Sequence, residues 1–306
     1  MDWISSIEIA AERIRTHVRS TPVVTASVPG VDVPVTFKLE QVQHTGSFKA
    51  RGAFNTLLSG AVPEAGLVAA SGGNHGAAVA YAAQKLGHRA RIFVPKMAGP
   101  AKIALIERSG AELTVVPGEY ANALAQARAV EVSSGAMQVH AYDAPATVAG
   151  QGTCMVEWED QGLDADTVLI AVGGGGLIAG AMAWLAGRRR IVAVEPETSC
   201  ALHAALAAGR PVDVEVSGVA ANALGARRIG EICFDLALDQ DVQSVLVSDG
   251  AITESQRWLW QALRQLVEPA GATALAALIS GAYRPAPGER VAVLLCGGNV
   301  APDPLG

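Results

Sequence analysis

The sequence predicts an α/β protein with mostly parallel, twisted sheets and helices on both faces. Apolar, β-branched runs alternate along the chain with alanine-rich segments of helical period, which is the order of βαβ units. The runs are apolar on both faces, as parallel strands need when helices cover both sides of the sheet. Three glycine-containing loops each lie where a strand leads into a helix, which is where open α/β sheets bind ligands.

The strands and helices follow from these patterns in chain order. The strands are predicted at Val35–Glu40, Leu67–Ser71, Arg91–Val94, Glu112–Val116, Thr167–Val172, Arg190–Glu195, Ser244–Val247 and Arg290–Cys296. The helices are predicted at Ala50–Leu58, Ala77–Leu86, Ala101–Ser109, Tyr120–Ser133, Ile178–Leu185, Thr198–Ala208 and Asp249–Leu266.

Composition excludes several classes of protein. Half of the 306 residues are hydrophobic and 17% are charged, below the roughly 25% of an average globular chain, so a disordered protein is excluded. Lysine plus arginine (23) against aspartate plus glutamate (29) leaves a net charge of −6. The only basic block, Arg188 to Arg190, is short, and we expect no nucleic-acid partner.

Cysteine spacing and hydropathy bear on location. The four cysteines lie far apart without a Cys-x-x-Cys pair, so we read no zinc site or disulfide framework and expect a reducing cytoplasm. Residues 1–20 mix both charge signs, unlike a signal peptide. Residues 168–187 carry no charge, but their six glycines favour a strand, a loop and a helix over a membrane span.

The first loop ends in Lys49, ahead of the helix at 50–58. Ala53 and Leu57 stand four and eight residues further on, so the lysine begins an apolar helix face and should be partly buried. With Thr45 or Ser47 as N-cap, it also sits in the first turn, where the helix dipole disfavours a cation. Both effects favour a neutral, nucleophilic amine. The alternative is a lysine that snorkels from an ordinary helix.

The second loop is Ser71-Gly72-Gly73-Asn74-His75-Gly76. Its adjacent glycines allow backbone amides to turn toward an anion, and the Asn74 amide both donates and accepts. A carboxylate or phenolate oxygen would fit there. The alternative is a glycine-rich turn in which Asn74 caps the next helix and His75 is structural.

The third loop, Gly173-Gly174-Gly175-Gly176-Leu177, removes the side chains that would keep a phosphate from the amides of the following helix. No Lys-Ser or Lys-Thr follows, which disfavours a Walker-type loop. Gly174-x-Gly176-x-x-Ala179 also fits a dinucleotide fingerprint, with Glu195 placed to bind a ribose. This segment alone therefore leaves a nicotinamide-dependent dehydrogenase open.

The three loops together indicate a phosphate-bearing aldehyde cofactor, which needs a Schiff-base lysine, a ring contact and a phosphate cup. Six motifs carry a resemblance from about Thr21 to Asn299: Ser47-Phe48-Lys49, Ser71 to His75, Gly150-Gln151-Gly152-Thr153, Gly173 to Gly180, Glu268 to Ala272 and Cys296-Gly297-Gly298-Asn299. Their order resembles the serine/threonine dehydratase and serine racemase branch of fold-type II pyridoxal-phosphate enzymes, whose fold is like that of the tryptophan synthase β subunit.

The resemblance implies a large cofactor-binding domain of residues 1–65 and 138–306 and a small inserted domain of residues 66–137. It implies that Lys49 forms the Schiff base, that Phe48 packs beside the cofactor and that Asn74 contacts the ring hydroxyl. Gly173, Gly174, Gly175, Gly176 and Leu177 would bind the phosphate, and Ser71, Gly72, Gly73, Asn74 and His75 the substrate carboxylate. Cys296 would face the pyridine nitrogen; the alternative is a small buried apolar residue.

The reaction so implied converts a β-hydroxy amino acid such as L-threonine or L-serine to a 2-oxo acid and ammonia, with Lys49 as the base. Racemases of the branch use a serine where this chain has Gly72, so racemisation should be poor. Metal-binding members place an acidic residue where this chain has Ala201, which leaves Glu195 without a partner ligand, and we expect no metal.

Several alternatives stay open at this stage. They are a serine racemase, a β-replacement enzyme similar to cysteine synthase, a nicotinamide-dependent dehydrogenase and a catalytically silent binding protein. The resemblance implies a homodimer, a small amino-acid substrate, and neither a membrane nor a nucleic acid as partner.

Overall fold

The computed structural model describes residues 1–98, 100–118 and 120–300. The strands there are β1 (Val23–Ala26), β2 (Val35–Leu39), β3 (Leu67–Ala70), β4 (Ala90–Pro95), β5 (Glu112–Val116), β6 (Met137–Gln138), β7 (Thr167–Ala171), β8 (Arg190–Pro196), β9 (Gln243–Val247) and β10 (Val291–Leu295). The helices there are α1 (Trp3–Ile14), α2 (Lys49–Leu58), α3 (Asn74–Leu86), α4 (Pro100–Glu107), α5 (Tyr120–Ser134), α6 (Pro145–Asp160), α7 (Gly176–Leu185), α8 (Ala201–Ala208), α9 (Ala221–Leu224), α10 (Glu231–Asp239), α11 (Asp249–Leu263) and α12 (Pro269–Ile279).

The larger sheet has six strands in the order β1-β2-β10-β7-β8-β9. Only the edge pair β1–β2 is antiparallel, and the other described pairs are parallel. Every residue of the central strands β7 and β10 is buried, as expected when helices cover both faces. The carboxyl ends of these two strands therefore lie side by side, and they lead into the segments at Gly173 and Cys296.

The smaller sheet has four parallel strands in the order β5-β4-β3-β6. Strand β3 lies inside this sheet and leads into the loop at Ser71. The two sheets confirm the predicted α/β class with mostly parallel strands.

The eight predicted strands are all present, and none of their ends differs from the prediction by more than one residue. Strands β1 and β6 were not predicted, because runs of four and two residues carry too little periodicity. Helices α1, α6, α9, α10 and α12 were also missed. Helix α11 ends at Leu263, before the predicted Leu266, because Arg264 takes the left-handed conformation with φ 55°.

The division into two domains stays a prediction, and the two sheets support it. All strands of the smaller sheet come from residues 67–138, between the strands of the larger one. Gln138 pairs with Val68 in β3, so we place the end of the insertion slightly later than residue 137.

The uncharged stretch at 168–187 is β7, a glycine loop and α7, as predicted. In the described part of the chain, no helix combines the length and apolar character needed to cross a membrane.

A buried network of charges joins α2 to the larger sheet and to α6. Arg51 of α2 donates to Glu40 at 2.7 Å and to Glu157 of α6 at 2.9 Å. Lys38 of β2, which is fully buried, donates to Glu157 at 2.5 Å and to the carbonyl oxygen of Thr21 at 2.8 Å. Each buried charge thus has an opposite charge and further hydrogen bonds, which is the condition for tolerating charges in the interior.

Candidate active site

Lys49 is the first residue of α2 and lies partly buried, as the sequence predicts. Its Nζ atom donates to the carbonyl oxygen of Ala141 at 2.7 Å. It also lies 5.1 Å from the centre of the Phe48 ring. Burial lowers the pKa of Lys49 from 10.5 to about 8. The amine can therefore release its proton much closer to neutral pH than an exposed lysine does.

The start of α2 differs from the expected N-cap. Phe48 occupies the cap position, and no side chain caps the helix, whereas Thr45 or Ser47 was expected to do so. Ser47 instead has extended backbone and bridges to Gly297, and Phe48 N donates to Cys296 O at 3.3 Å. The end of β10 holds this segment, which places Lys49 beside the last strand residues.

The buried hydroxyl of Ser47 has no hydrogen-bond partner among the described residues. A buried polar group left unpaired calls for an explanation, and one explanation is a bound group that completes its hydrogen bonds.

Asn74 is the first residue of α3 rather than its cap. Its Nδ2 donates to Glu268 at 2.5 Å, and its Oδ1 accepts from Asn299 at 2.9 Å. The side chain therefore links α3, which follows β3 of the smaller sheet, to the residue before α12 and to the segment after β10. An amide nitrogen carries two hydrogens, so Asn74 keeps a second N–H for another acceptor.

The first turn of α3 has no side-chain cap. In the loop before it, Ser71 Oγ accepts from Gly73 N at 3.2 Å. His75 is buried, with Nε2 2.9 Å from the carbonyl oxygen of Val139. Burial lowers the pKa of His75 to about 3, and Lys49 adds to the shift, so this imidazole is neutral and donates from Nε2.

The four-glycine loop turns from β7 into α7 with Gly175 at φ 94°, a conformation that favours glycine. No side chain caps α7. A Cβ on Gly174 would lie 2.3 Å from the ring of Tyr142, and one on Gly176 would lie 2.9 Å from the backbone of Tyr142. Any residue other than glycine would displace this neighbour. Leu177 is buried in the core behind the loop.

Cys296 follows β10 and is buried, with Sγ donating to the carbonyl oxygen of Ala270 at 3.4 Å. Burial raises the pKa of this thiol well above its usual value, and the carboxylate of Glu268 adds to the shift. The group beside Lys49 is therefore a neutral thiol.

Sequence reasoning missed the segment from His140 to Asp143. It supplies the Ala141 carbonyl to Lys49 and the Tyr142 ring to the glycine loop, while Asp143 accepts from the first amides of α10. The His140 ring packs edge-on against Tyr142, at 5.0 Å between centroids. The segment has no strand or helix period; the proline that begins α6 at residue 145 is its one local signal.

Glu195 caps the start of α8. Its two carboxyl oxygens accept from the backbone of Leu202 and His203, both at 2.8 Å. Burial raises the pKa of Glu195 to about 7. No cluster of three metal-ligating side chains occurs within the residues that the structure describes. Both carboxyl oxygens of Glu195 are bonded to α8. The structure therefore gives no support to the ribose-binding role that a dehydrogenase would require of this residue.

The residues present fit pyridoxal phosphate. An uncapped helix start behind four glycines suits a phosphate, a lysine with a pKa near 8 suits an aldehyde, and the buried, unpaired Ser47 hydroxyl lies two residues before that lysine. The fold and the site therefore indicate a class: an α/β enzyme that uses an anionic carbonyl cofactor.

Comparison with known proteins gives the family. Residues 14–297 match the family described as pyridoxal-phosphate dependent enzyme. The phenylserine dehydratase of Ralstonia pickettii is 37% identical over 97% of this chain and 93% of its own length. The solved structure of maize serine racemase matches with a TM-score of 0.93 and 30% identity, over 99% of this chain and 95% of that one.

The crystal structure of a T.th. threonine deaminase matches with a TM-score of 0.90 and 34% identity, over 98% of this chain and 99% of that one. The chain belongs to the pyridoxal-phosphate-dependent enzyme family, with the fold of these racemases and deaminases. The predicted family, fold and cofactor are confirmed.

Proposed function

We propose that this enzyme is a dehydratase that converts β-hydroxy amino acids, such as L-threonine or L-serine, to a 2-oxo acid and ammonia, with Lys49 as its catalytic residue. The observation that carries the proposal is the amine of Lys49, which has a pKa of about 8 and lies at the junction of β10, α2 and the segment at Ala141. The reaction class agrees with the relatives, which include a phenylserine dehydratase and an L-threonine ammonia-lyase.

Pyridoxal phosphate, when bound, supplies an aldehyde that combines with an amine and a ring that withdraws electrons from the α-carbon. Lys49 would hold the aldehyde end, and the amides of Gly173 to Leu177 would hold the phosphate. Phe48 would lie beside the ring, and Asn74 would offer its second N–H to the ring hydroxyl. Cys296 would face the ring nitrogen; a neutral thiol cannot keep that nitrogen protonated as a carboxylate would.

Lys49 is suited to remove the α-proton. A base works best when its pKa lies near the working pH, and burial brings this amine from 10.5 to about 8. The Ala141 carbonyl accepts one of its hydrogens and so limits the directions in which the lone pair can point. The residue can thus hold or release a proton at Nζ without a large energetic penalty.

The loop from Ser71 to His75 would bind the substrate carboxylate. The uncapped amides at the start of α3 provide donors, and the helix dipole favours an anion there. His75 is neutral and bonded to Val139, so the backbone rather than its ring would make this contact.

Gly72 favours elimination over racemisation. A racemase needs a second acid or base on the face opposite Lys49, and glycine has no side chain to supply one. A Cβ at Gly72 would lie 2.4 Å from the Cβ of Ala98, so the surroundings leave no room for serine. Serine racemase is the second candidate, since solved racemases share the fold.

A panel of β-hydroxy amino acids tests the proposal. Purified holoenzyme is given L-serine, L-threonine, a phenylserine and a 3-hydroxyaspartate, and 2-oxo acid, ammonia and D-serine are measured. We expect 2-oxo acid and ammonia in equal amounts, little D-serine, and loss of product in Lys49→Ala. Lys85→Ala, which changes an exposed lysine on α3, is the matched control.

Two results would contradict the proposed reaction. One is D-serine formation at a rate comparable to elimination, which would indicate a racemase. The other is product from sulfide and O-acetylserine without elimination of hydroxy amino acids, which would indicate a β-replacement enzyme. Retention of 2-oxo acid formation in Lys49→Ala would refute the assigned role.

We also propose a cytoplasmic homodimer. All four cysteines are free thiols, as a reducing compartment requires, and the family resemblance implies a dimer. Light scattering of the purified holoenzyme tests the assembly: a mass of twice 31.4 kDa is expected, and a single-chain mass would contradict it.

A further inference from the structure

Helix α6 carries the Gly150-Gln151-Gly152-Thr153 motif, for which the proposed chemistry gives no use. At Gly150 this helix contacts the backbone of α2. A Cβ on Gly150 would lie 2.7 Å from the Cα of Gly52 and 2.8 Å from the carbonyl oxygen of Arg51. Only glycine at position 150 allows the two helix backbones to come this close.

The other side of α6 contacts α7 in the same way. A Cβ on Gly180 of α7 would lie 2.4 Å from the backbone nitrogen of Gly152 and 2.8 Å from the carbonyl oxygen of Val148. Residues 148 and 152 are each two positions from Gly150, which is about 200° around a helix. The contacts with α2 and α7 therefore lie on opposite faces of α6.

Polar bonds keep α2 in register against α6. Gly52 N donates to Gln151 Oε1 at 3.2 Å, and Asn55 Nδ2 donates to the carbonyl oxygen of Ala146 at 2.7 Å. Arg51 donates to Glu157 at 2.9 Å, further along α6. These bonds prevent α2 from sliding along α6. The glycine contact therefore sets the distance between the two helices, and the polar contacts set the position of α2 along α6.

The two helices that α6 separates begin at the two ends of the proposed cofactor site. Lys49 is the first residue of α2, and Gly176, in the glycine loop, is the first residue of α7. We propose that α6 is a spacer that sets the distance between Lys49 and the phosphate-binding loop, with Gly150 and Gly180 as positioning residues. This inference rests on the proposed function.

The size of the effect follows from the contact distances. Carbon atoms in contact lie about 3.5–4.0 Å apart, whereas a methyl group on residue 150 would lie 2.7 Å from the Cα of Gly52. The substitution must therefore move α2 away by about 1 Å. A misplacement of about 1 Å in a reacting group can cost on the order of 10²-fold. The phosphate contacts and the Lys49 bond could then no longer both be made at full strength.

The test distinguishes the total amount of bound cofactor from the amount that is covalently attached to Lys49. In the bond-forming step Nζ adds to the aldehyde carbon, a C=N bond replaces C=O, and the oxygen leaves as water. Equilibrium dialysis against pyridoxal phosphate measures all bound cofactor. Borohydride reduction followed by mass spectrometry of the Lys49 peptide measures the covalent part. In the wild-type holoenzyme the two amounts should be equal.

In Gly150→Ala and Gly180→Ala we expect bound cofactor to persist while the covalent fraction at Lys49 falls about tenfold. Met155→Ala is the control, since it opens a cavity at a buried position of α6 that the glycine contacts do not use. It should lower thermal stability but keep the two amounts equal. Where Gly150→Ala does not fold, Gly52→Ala takes its place, because its methyl would meet the flexible end of Gln151, and a smaller fall is expected.

Equal amounts of bound and covalent cofactor in the folded glycine variants would overturn the inference. A parallel loss of both amounts, matching Met155→Ala, would also overturn it, because it would show a purely structural role. Absence of cofactor from Lys49 in the wild-type enzyme would instead refute the proposed function, and this inference with it.

Discussion

The Nζ atom of Lys49 lies 2.7 Å from the carbonyl oxygen of Ala141, a residue 92 positions further along the chain. This contact joins the start of α2 to the segment that precedes α6. It orients the amine whose pKa burial lowers to about 8. The proposed catalytic base is thus held by a backbone group that carries no sequence motif.

The lowered pKa of Lys49 predicts a pH dependence of stability for the cofactor-free chain. The folded chain releases this proton near pH 8 and the unfolded chain near 10.5, so between these values the unfolded state binds more protons. Stability should therefore rise with pH in that window, by at most about 3 kcal/mol and less where solvent reaches the amine. The midpoint of urea unfolding, measured across this pH window for wild type and for Lys49→Met, tests the prediction. If the midpoint changed with pH equally in both proteins, Lys49 would not be a buried charge.

Gly72→Ser should destabilise the protein because its Cβ would overlap that of Ala98. Overpacking of this kind costs about 1–3 kcal/mol. The pair Gly72→Ser with Ala98→Gly should recover the melting temperature and form more D-serine from L-serine than wild type does. Calorimetry and a D-serine assay provide the measurements. A double variant as unstable as the single one would show that Ala98 is not the obstacle.

Gly174→Ala should weaken cofactor binding by at least about tenfold, because the methyl group would overlap the Tyr142 ring and shift amides whose hydrogen bonds to an anion contribute about 1.5–3 kcal/mol. Fluorescence titration with pyridoxal phosphate measures the dissociation constant. Gly60→Ala, at a position with no heavy atom within 4 Å of the new methyl, is the control and should bind as wild type does. Unchanged affinity in Gly174→Ala would count against the loop as phosphate site.

Arg51→Met should lower the free energy of unfolding by about 3–5 kcal/mol, since it leaves the buried Glu40 without its cation. Arg15→Met, which breaks an exposed pair with Glu12, should change it by less than about 1 kcal/mol. Urea denaturation of both variants at pH 7 makes the comparison. Similar losses of unfolding free energy in the two variants would mean that burial does not determine how much these ion pairs contribute to stability.

Local patterns were enough to place the glycine loops and Lys49. Four consecutive glycines after an apolar run, and a lysine at the head of an apolar helix face, are signals within a few residues. Short elements such as β6 were missed because two residues carry no period, and their pairing partner lies about 70 positions away. The expected N-cap of α2 was wrong because the Ser47 hydroxyl makes no hydrogen bond to the first amides of the helix, although its extended backbone would suit a cap.

The sequence by itself determined the fold class, the family and the identity of the chemical groups, because these depend on residue type and on spacing within single segments. Tertiary structure decided which groups meet: Lys49 with Ala141, Asn74 with Glu268, and Gly150 with Gly52. Such contacts depend on how closely the helices pack and on the order of the strands in the sheets, which bring together residues that are far apart in the chain. A pKa near 8 likewise arises from burial, which only the folded chain provides.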